Sequence, residues 1–263
     1  LMGIINVTPD SFSDGGETFV TAAAIARGEA MWAAGADILD IGGESTRPGA
    51  EPVSVAAETA RVVPVVAALA AKGALVSIDT RHAPVMAAAI AAGARIVNDV
   101  SGLSGDARAL PLVRRTGVAV VLMHMRGEPS TMQHDPRYDD VVNDVRVWLA
   151  ERVERCRDAG LAFDRIAVDP GIGFGKSVRH NVEILAQLQT YATLGCGLVI
   201  GVSRKSFIGH LSSNEATTAR LAGSIAAGLA ALERGASILR VHDVVDTRQA
   251  IAVWQAINGG FGT

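Results

Sequence analysis

Short apolar runs rich in Val and Ile alternate along the chain with longer, Ala-rich stretches whose apolar positions recur at helical spacing. Eight runs read as strands, over residues 2–7, 37–41, 75–78, 95–100, 119–123, 165–168, 198–202 and 238–241. Each is almost continuously apolar, the pattern of a parallel strand covered on both faces. The stretches between them predict helices over 22–34, 55–71, 84–92, 107–115, 141–159, 182–191, 217–234 and 244–257. Gly35, Gly73, Gly93, Gly117, Gly160 and Gly235 follow these helices by one or two residues, where a left-handed residue commonly ends a helix.

Eight strand–helix units predict an α/β fold: a single (β/α)8 TIM barrel with its active site at the C-terminal ends of the strands, one domain over residues 1–263. Spread over eight units, 263 residues give about 33 each, the size of a βα repeat with its loops. An open doubly wound sheet is the competing architecture. It is disfavoured because no run reads as an exposed edge strand, and because Gly171, Gly173 and Gly175 lack the spacing of a dinucleotide fingerprint.

Composition narrows the function classes. With 49% hydrophobic and 19% charged residues the chain has ample apolar surface to fold, and a net charge of −3 gives no general footprint for nucleic acid or anionic membrane. No apolar run approaches the roughly 20 residues of a membrane span. Two cysteines, Cys156 and Cys196, make neither a disulfide framework nor a zinc site, so a reducing, cytoplasmic setting is expected. The chain begins on its first strand, as expected of a naturally short or an N-terminally trimmed sequence. Only three of 24 basic residues are lysines, and two of these, Lys176 and Lys205, fall in Gly/Ser loops that invite a functional reading.

In a barrel the chemistry gathers after the strands. The helix-to-strand joins are bland, as in Ala-Gly-Ala-Asp and Arg-Gly-Ala-Ser. The strand-to-helix joins are polar: 6–14, 42–49, 79–81, 98–101, 123–126, 169–176, 203–206 and 240–243. Asp79, Asn98 and Asp169 offer acceptors and a donor suited to a flat heterocycle with several N–H groups. Arg47, Lys205, Arg240 and His242, cationic or potentially so, suit a phosphate or diphosphate. Taken singly, an Asp or Asn after a strand is ordinary turn or cap chemistry; eight such joins at one end point to a site. Glu44 and Asp99 stay open between touching a ligand and orienting a loop. Gly171 to Gly175 reads as a tight turn, Arg204 as the partner of a buried carboxylate, and His82, His134, His180 and His210 as surface or capping residues.

The segments Gly3–Gly16, Gly43–Gly49, Asp169–Phe174, Ser203–Phe207 and Arg240–Asp243 resemble the bacterial dihydropteroate synthases, a pterin-binding barrel family. The resemblance runs in order over nearly the whole chain; the short segment usual before the first motif is missing. It implies condensation of 6-hydroxymethyl-7,8-dihydropterin diphosphate with 4-aminobenzoate, with Mg²⁺, in folate biosynthesis. It further implies that Asp79, Asn98, Met123, Asp169 and Lys205 hold the pterin, and that Asn6, Thr46, Arg240 and His242 contact the diphosphate, with Asn6 also placing Mg²⁺. Phe12, Thr46, Arg47, Pro48, Phe174, Lys205 and Ser206 would surround the aminobenzoate, in the pocket that sulfonamides occupy in this family. Asp79, Asp169, Lys205 and Asp14 would be catalytic, and a homodimer through the late helices is implied. A pterin-binding methyltransferase domain acting with a corrinoid protein is the alternative; it would share the Asp/Asn set and lack the diphosphate contacts. A Schiff-base aldolase using Lys205 and a non-enzymatic pterin-binding barrel are further rivals.

Overall fold

The apolar runs pair side by side in chain order. The computed structural model describes residues 1–8, 16–45, 53–128 and 131–259. Eight parallel strands close into a barrel in sequence order: β1 Met2–Asn6, β2 Ile38–Gly42, β3 Val76–Asp79, β4 Ile96–Asp99, β5 Ala119–Met123, β6 Ile166–Asp169, β7 Gly197–Ile200 and β8 Ile238–Val241. Pairing of β1 with β8 closes the ring, so no strand is left with an open edge. Around it lie α1 Gly16–Ala33, α2 Val55–Ala71, α3 Ala83–Ala91, α4 Ala109–Thr116, α5 Val141–Asp158, α6 Val178–Ala186, α7 Gln189–Ala192, α8 Ser206–Leu211, α9 Leu221–Glu233 and α10 Val244–Gly259.

The period-two alternation of each strand sorts its side chains between two cores. Outward residues such as Leu39, Ile41, Ile78, Leu122 and Val168 pack with Val65, Leu69, Met86, Leu149 and Ile184 of the helices. Inward residues Met2, Val121 and Val199, with Ile38, Ile96, Ala167 and Ile238, plug the barrel floor. Above that plug the inward positions turn polar, and there the site begins. The six helix-ending glycines all take positive φ; Gly117, at 68°, caps α4 with its N–H on the Val113 carbonyl. Among the described residues, no helix is long and apolar enough to cross a membrane.

Helix boundaries differ from the sequence expectation where capping overrides periodicity. The expected helix 182–191 starts four residues earlier, because Ser177 Oγ accepts the His180 N–H at 3.2 Å and His180 Nδ1 accepts the Ser177 N–H at 3.2 Å, a reciprocal cap. It then breaks before α7. Helix 217–234 divides into a 3₁₀ turn, Thr217–Ala219, and α9, and the short α8 after β7 was not anticipated. The first helix begins at Gly16 instead of Ala22.

Candidate active site

Strand register carries the polar joins to one rim. Asn6 lies opposite Gly42, Gly42 opposite Asp79, Asp79 opposite Asn98, and Met123 opposite Asp169. Residues separated by up to two-thirds of the chain therefore share one mouth. Of the expected pterin set, Asn98, Met123 and Asp169 are buried and Asp79 is half-buried. Phe12, Asp14, Thr46, Arg47 and Pro48 lie outside the described residues.

The acceptors form a graded set. Asp169 Oδ1 accepts the Gly171 N–H at 2.7 Å, and burial raises its pKa against the opposing pull of that N–H and of Lys205, Arg240 and Lys176. Asp79 Oδ2 accepts from Arg240 Nη2 at 2.7 Å. Burial nonetheless pushes Asp79 up to about 7, outweighing the guanidinium, with the Asp40 charge adding to the rise. Arg240 Nε donates to Asp40 Oδ2 at 2.6 Å, and Asn98 Nδ2 donates to the same oxygen at 3.0 Å. Arg240 thus spans two carboxylates, which raise its pKa over the opposing effect of burial.

The cations are arranged by the loops after β6, β7 and β8. Lys205 Nζ sits 4.0 Å from the centroid of the Phe174 ring, a cation–π contact that fixes both side chains. Burial, then Arg240, lowers Lys205 to about 8 while Asp169 and Asp79 pull the other way. The preceding residue, Arg204, takes the left-handed region at φ 61°, a strained choice for a side chain with a Cβ. Its backbone N–H on Ser224 Oγ at 2.8 Å and its guanidinium on both oxygens of Asp243 hold it there, as expected for a structural pair. Ser206 is exposed at the start of α8. His242 differs from the expectation of a potential cation: burial, then Arg240 and Arg204, push it down to about 3, so it is neutral at pH 7, with Nδ1 3.0 Å from Ser203 Oγ.

The Gly171–Gly175 turn is built for close approach. A Cβ on Gly171 would lie 1.9 Å from the His124 carbonyl oxygen, and one on Gly175 would lie 2.2 Å from that of Arg126. Glu44 and Asp99, left open by the sequence, both support loops: Asp99 accepts from Ser101 and from the Leu103 N–H, and Glu44 pairs with Arg81 and accepts the Val53 N–H.

Asp40 gains importance only in three dimensions, and Lys176, whose loop placement invited a functional reading, gains its role there. Asp40, in the middle of β2, is fully buried; the available signal was one acidic residue inside an apolar run. Lys176, 2% exposed, donates to Phe174 O at 3.0 Å and lies 2.9 Å from His124 Nδ1, tying the β5 and β6 loops together. Burial lowers it to about 7. His124 is pushed down to about 2 by burial, then by Lys176, so its neutral ring can accept from the ammonium. Because the folded-state pKa of Lys176 lies below the unfolded value near 10.4, the unfolded chain binds more protons between these limits, and folding stability rises with pH there. Thermal melts of K176M and the parent from pH 7 to 9.5 should show the parent gaining on the variant across this range. A constant difference would contradict that account of the buried ammonium.

Chain-wide comparisons agree with this geometry. Residues 2–242 match the model of the family described as pterin binding enzyme. The dihydropteroate synthase of Neisseria meningitidis serogroup C is 48% identical over 260 residues, covering 98% of this chain and 92% of that protein. A Xanthomonas albilineans dihydropteroate synthase structure with 4-aminobenzoic acid superposes with a TM-score of 0.92 at 49% identity, covering 98% of this chain and 92% of the other. Another from the same organism, in complex with 7,8-dihydropteroate, gives 0.89 at 46% identity with the same coverage. This chain belongs to the pterin-binding enzyme family, among its dihydropteroate synthases.

Proposed function

We propose that the chain joins 6-hydroxymethyl-7,8-dihydropterin diphosphate to 4-aminobenzoate, giving 7,8-dihydropteroate and diphosphate in folate biosynthesis. The observation that carries this reading is the meeting, at one barrel mouth, of the acceptor set Asp79, Asn98 and Asp169 with the donors Lys205 and Arg240. The acceptors match the N–H groups of a dihydropterin. Arg240 commits two of its five N–H groups to Asp40 and Asp79, leaving three for diphosphate oxygens.

The C–O bond between the pterin methylene and diphosphate breaks first, because the electron-rich ring can carry the positive charge left behind. Asp79 and Asp169, largely buried away from water, stabilise that charge, while Arg240 and Lys205 stabilise the departing diphosphate. The aminobenzoate nitrogen then forms the new C–N bond and loses a proton to solvent. An arylamine is already neutral at pH 7, so no strong base is required of His242, whose neutral ring serves as a hydrogen-bonding contact. Phe174, Lys205 and Ser206, with Phe12, Thr46, Arg47 and Pro48, are assigned to the aminobenzoate, and Asp14 and Met123 to the catalytic and pterin-facing sets.

Among the described residues no cluster of three or more His, Cys, Asp or Glu could hold a metal ion. Asn6 supplies one neutral oxygen at the end of β1, which fits Mg²⁺ only as a minor ligand beside substrate phosphates. Bound so, Mg²⁺ would neutralise charge on the leaving diphosphate. A homodimer through the late helices accords with exposed Val245, Val253 and Ile257 on α10. A cytoplasmic setting accords with two free cysteines, whose thiols burial pushes up in pKa.

The deciding assay measures diphosphate release and dihydropteroate formation from the two substrates, with and without Mg²⁺. Formation of both products together supports the proposal; neither product from folded protein overturns it.

A further inference from the structure

We propose that Asp40 is a positioning residue for pterin recognition: it fixes which way the Asn98 amide faces and holds Arg240 in the barrel mouth. This inference rests on the reading of the site as a dihydropterin site. Asp40 sits at an inward position of β2, one layer below Asp79 and opposite Ser77 in register, and it is completely buried. Inward positions of β2 itself, β4 and β8 carry Ile38, Ile96 and Ile238, so the barrel floor is readily filled by hydrocarbon. A buried carboxylate there is costly unless it is paired, and Asp40 is only half satisfied: among the described residues Oδ1 has no hydrogen-bond partner.

Its other oxygen takes two donors. Asn98 Nδ2 approaches Asp40 Oδ2 at 3.0 Å and Arg240 Nε approaches it at 2.6 Å. An ionised carboxylate only accepts hydrogen bonds, so the face of the Asn98 amide turned toward Asp40 must be its NH₂. The Asn98 carbonyl oxygen is thereby directed away from Asp40, available to a donor on the heterocycle. Without Asp40 the amide could rotate by half a turn and present NH₂, which would repel an N–H of the ligand. The same carboxylate oxygen anchors the Nε edge of Arg240 from below, so that Nη2 reaches Asp79 at 2.7 Å. One buried charge thus sets the polarity of Asn98 and the placement of Arg240 while standing a layer beneath the site.

The test compares the parent with D40N, an isosteric change, using active-site-normalised kinetics and calorimetric binding of 6-hydroxymethylpterin. The expected result is a pterin affinity and a KM for the pterin diphosphate each weakened about tenfold or more, with the KM for 4-aminobenzoate changed less than about twofold. A merely structural role would lower the melting temperature and leave both KM values alone, and that result overturns the proposal. A second comparison does not depend on D40N folding. N98D would set a second carboxylate against Asp40, so it should bind the pterin at least about tenfold more weakly than N98A. Equal binding by N98D and N98A overturns the assignment of amide polarity. Failure of the parent to bind the pterin at all would instead remove the reading of the site on which the inference rests.

Discussion

Replacement of Arg240 by methionine is expected to have the largest effect on the molecule as a whole. The guanidinium donates to Asp40 and to Asp79, the first fully buried and the second largely so. Removing one member of a buried ion pair leaves an uncompensated charge and costs about 3–5 kcal/mol. For a chain of this size that corresponds to a fall in melting temperature of roughly 10 °C. The loss should depend on pH with a definite sign. Asp79 stands at about 7 even with Arg240 present, and without the guanidinium, which pulls it down, it would be raised further. A raised carboxylate leaves stability intact below the unfolded value and removes it as pH rises through the folded value. The deficit of R240M against the parent should therefore be larger at pH 8 than at pH 5, and D40N/R240M, with one fewer orphan charge, should recover part of it. Turnover should fall on the order of 10²- to 10³-fold, because the proposed donor to the leaving diphosphate is lost. Differential scanning calorimetry at the two pH values checks the first claim; a deficit independent of pH contradicts the charge argument.

Asp169→Asn is expected to give the sharpest loss of activity with the least structural change. The amide retains an oxygen to accept the Gly171 N–H, which now reaches Oδ1 at 2.7 Å, so the turn after β6 should persist. What disappears is the carboxylate that the proposed mechanism sets against the ring on which positive charge develops. We expect kcat to fall about 10²-fold or more, with the KM for 4-aminobenzoate nearly unchanged. Steady-state kinetics decide this, and parental turnover in D169N would remove Asp169 from the charge-stabilising role. The variant should also lower the effective charge balance at Lys205, whose ammonium Asp169 supports against burial. The pH at which Lys205 loses its proton should then move down, and with it the alkaline limb of kcat/KM.

The barrel was legible because its determinants are local and periodic. Continuous Val/Ile runs demand cover on both faces, and the spacing of runs and helices leaves little choice of topology. Boundaries were less legible where one cap outweighs periodicity: the Ser177–His180 pair starts α6 four residues before its apolar pattern does. The rim was legible from the contrast between polar joins on one end and bland joins on the other. Arg204 was readable as a paired residue, although its left-handed backbone was not, since that conformation is imposed by Asp243 and Ser224 from other parts of the chain.

The sequence by itself therefore determined the barrel, the end that carries chemistry and the residue types gathered there, because each is written in short-range pattern. Charge states and orientations were decided only by the tertiary structure. His242 looked like a cation until burial beside Arg240 and Arg204 made it neutral. Arg240 looked like a free anion ligand until it was found spanning two carboxylates 161 and 200 residues away in the chain. Asp40 stands inside an apolar strand run, and only closure of the ring sets it beneath Asn98. Desolvation and Coulomb interaction depend on distances in space that strand register and ring closure fix, and no local stretch of residues contains them.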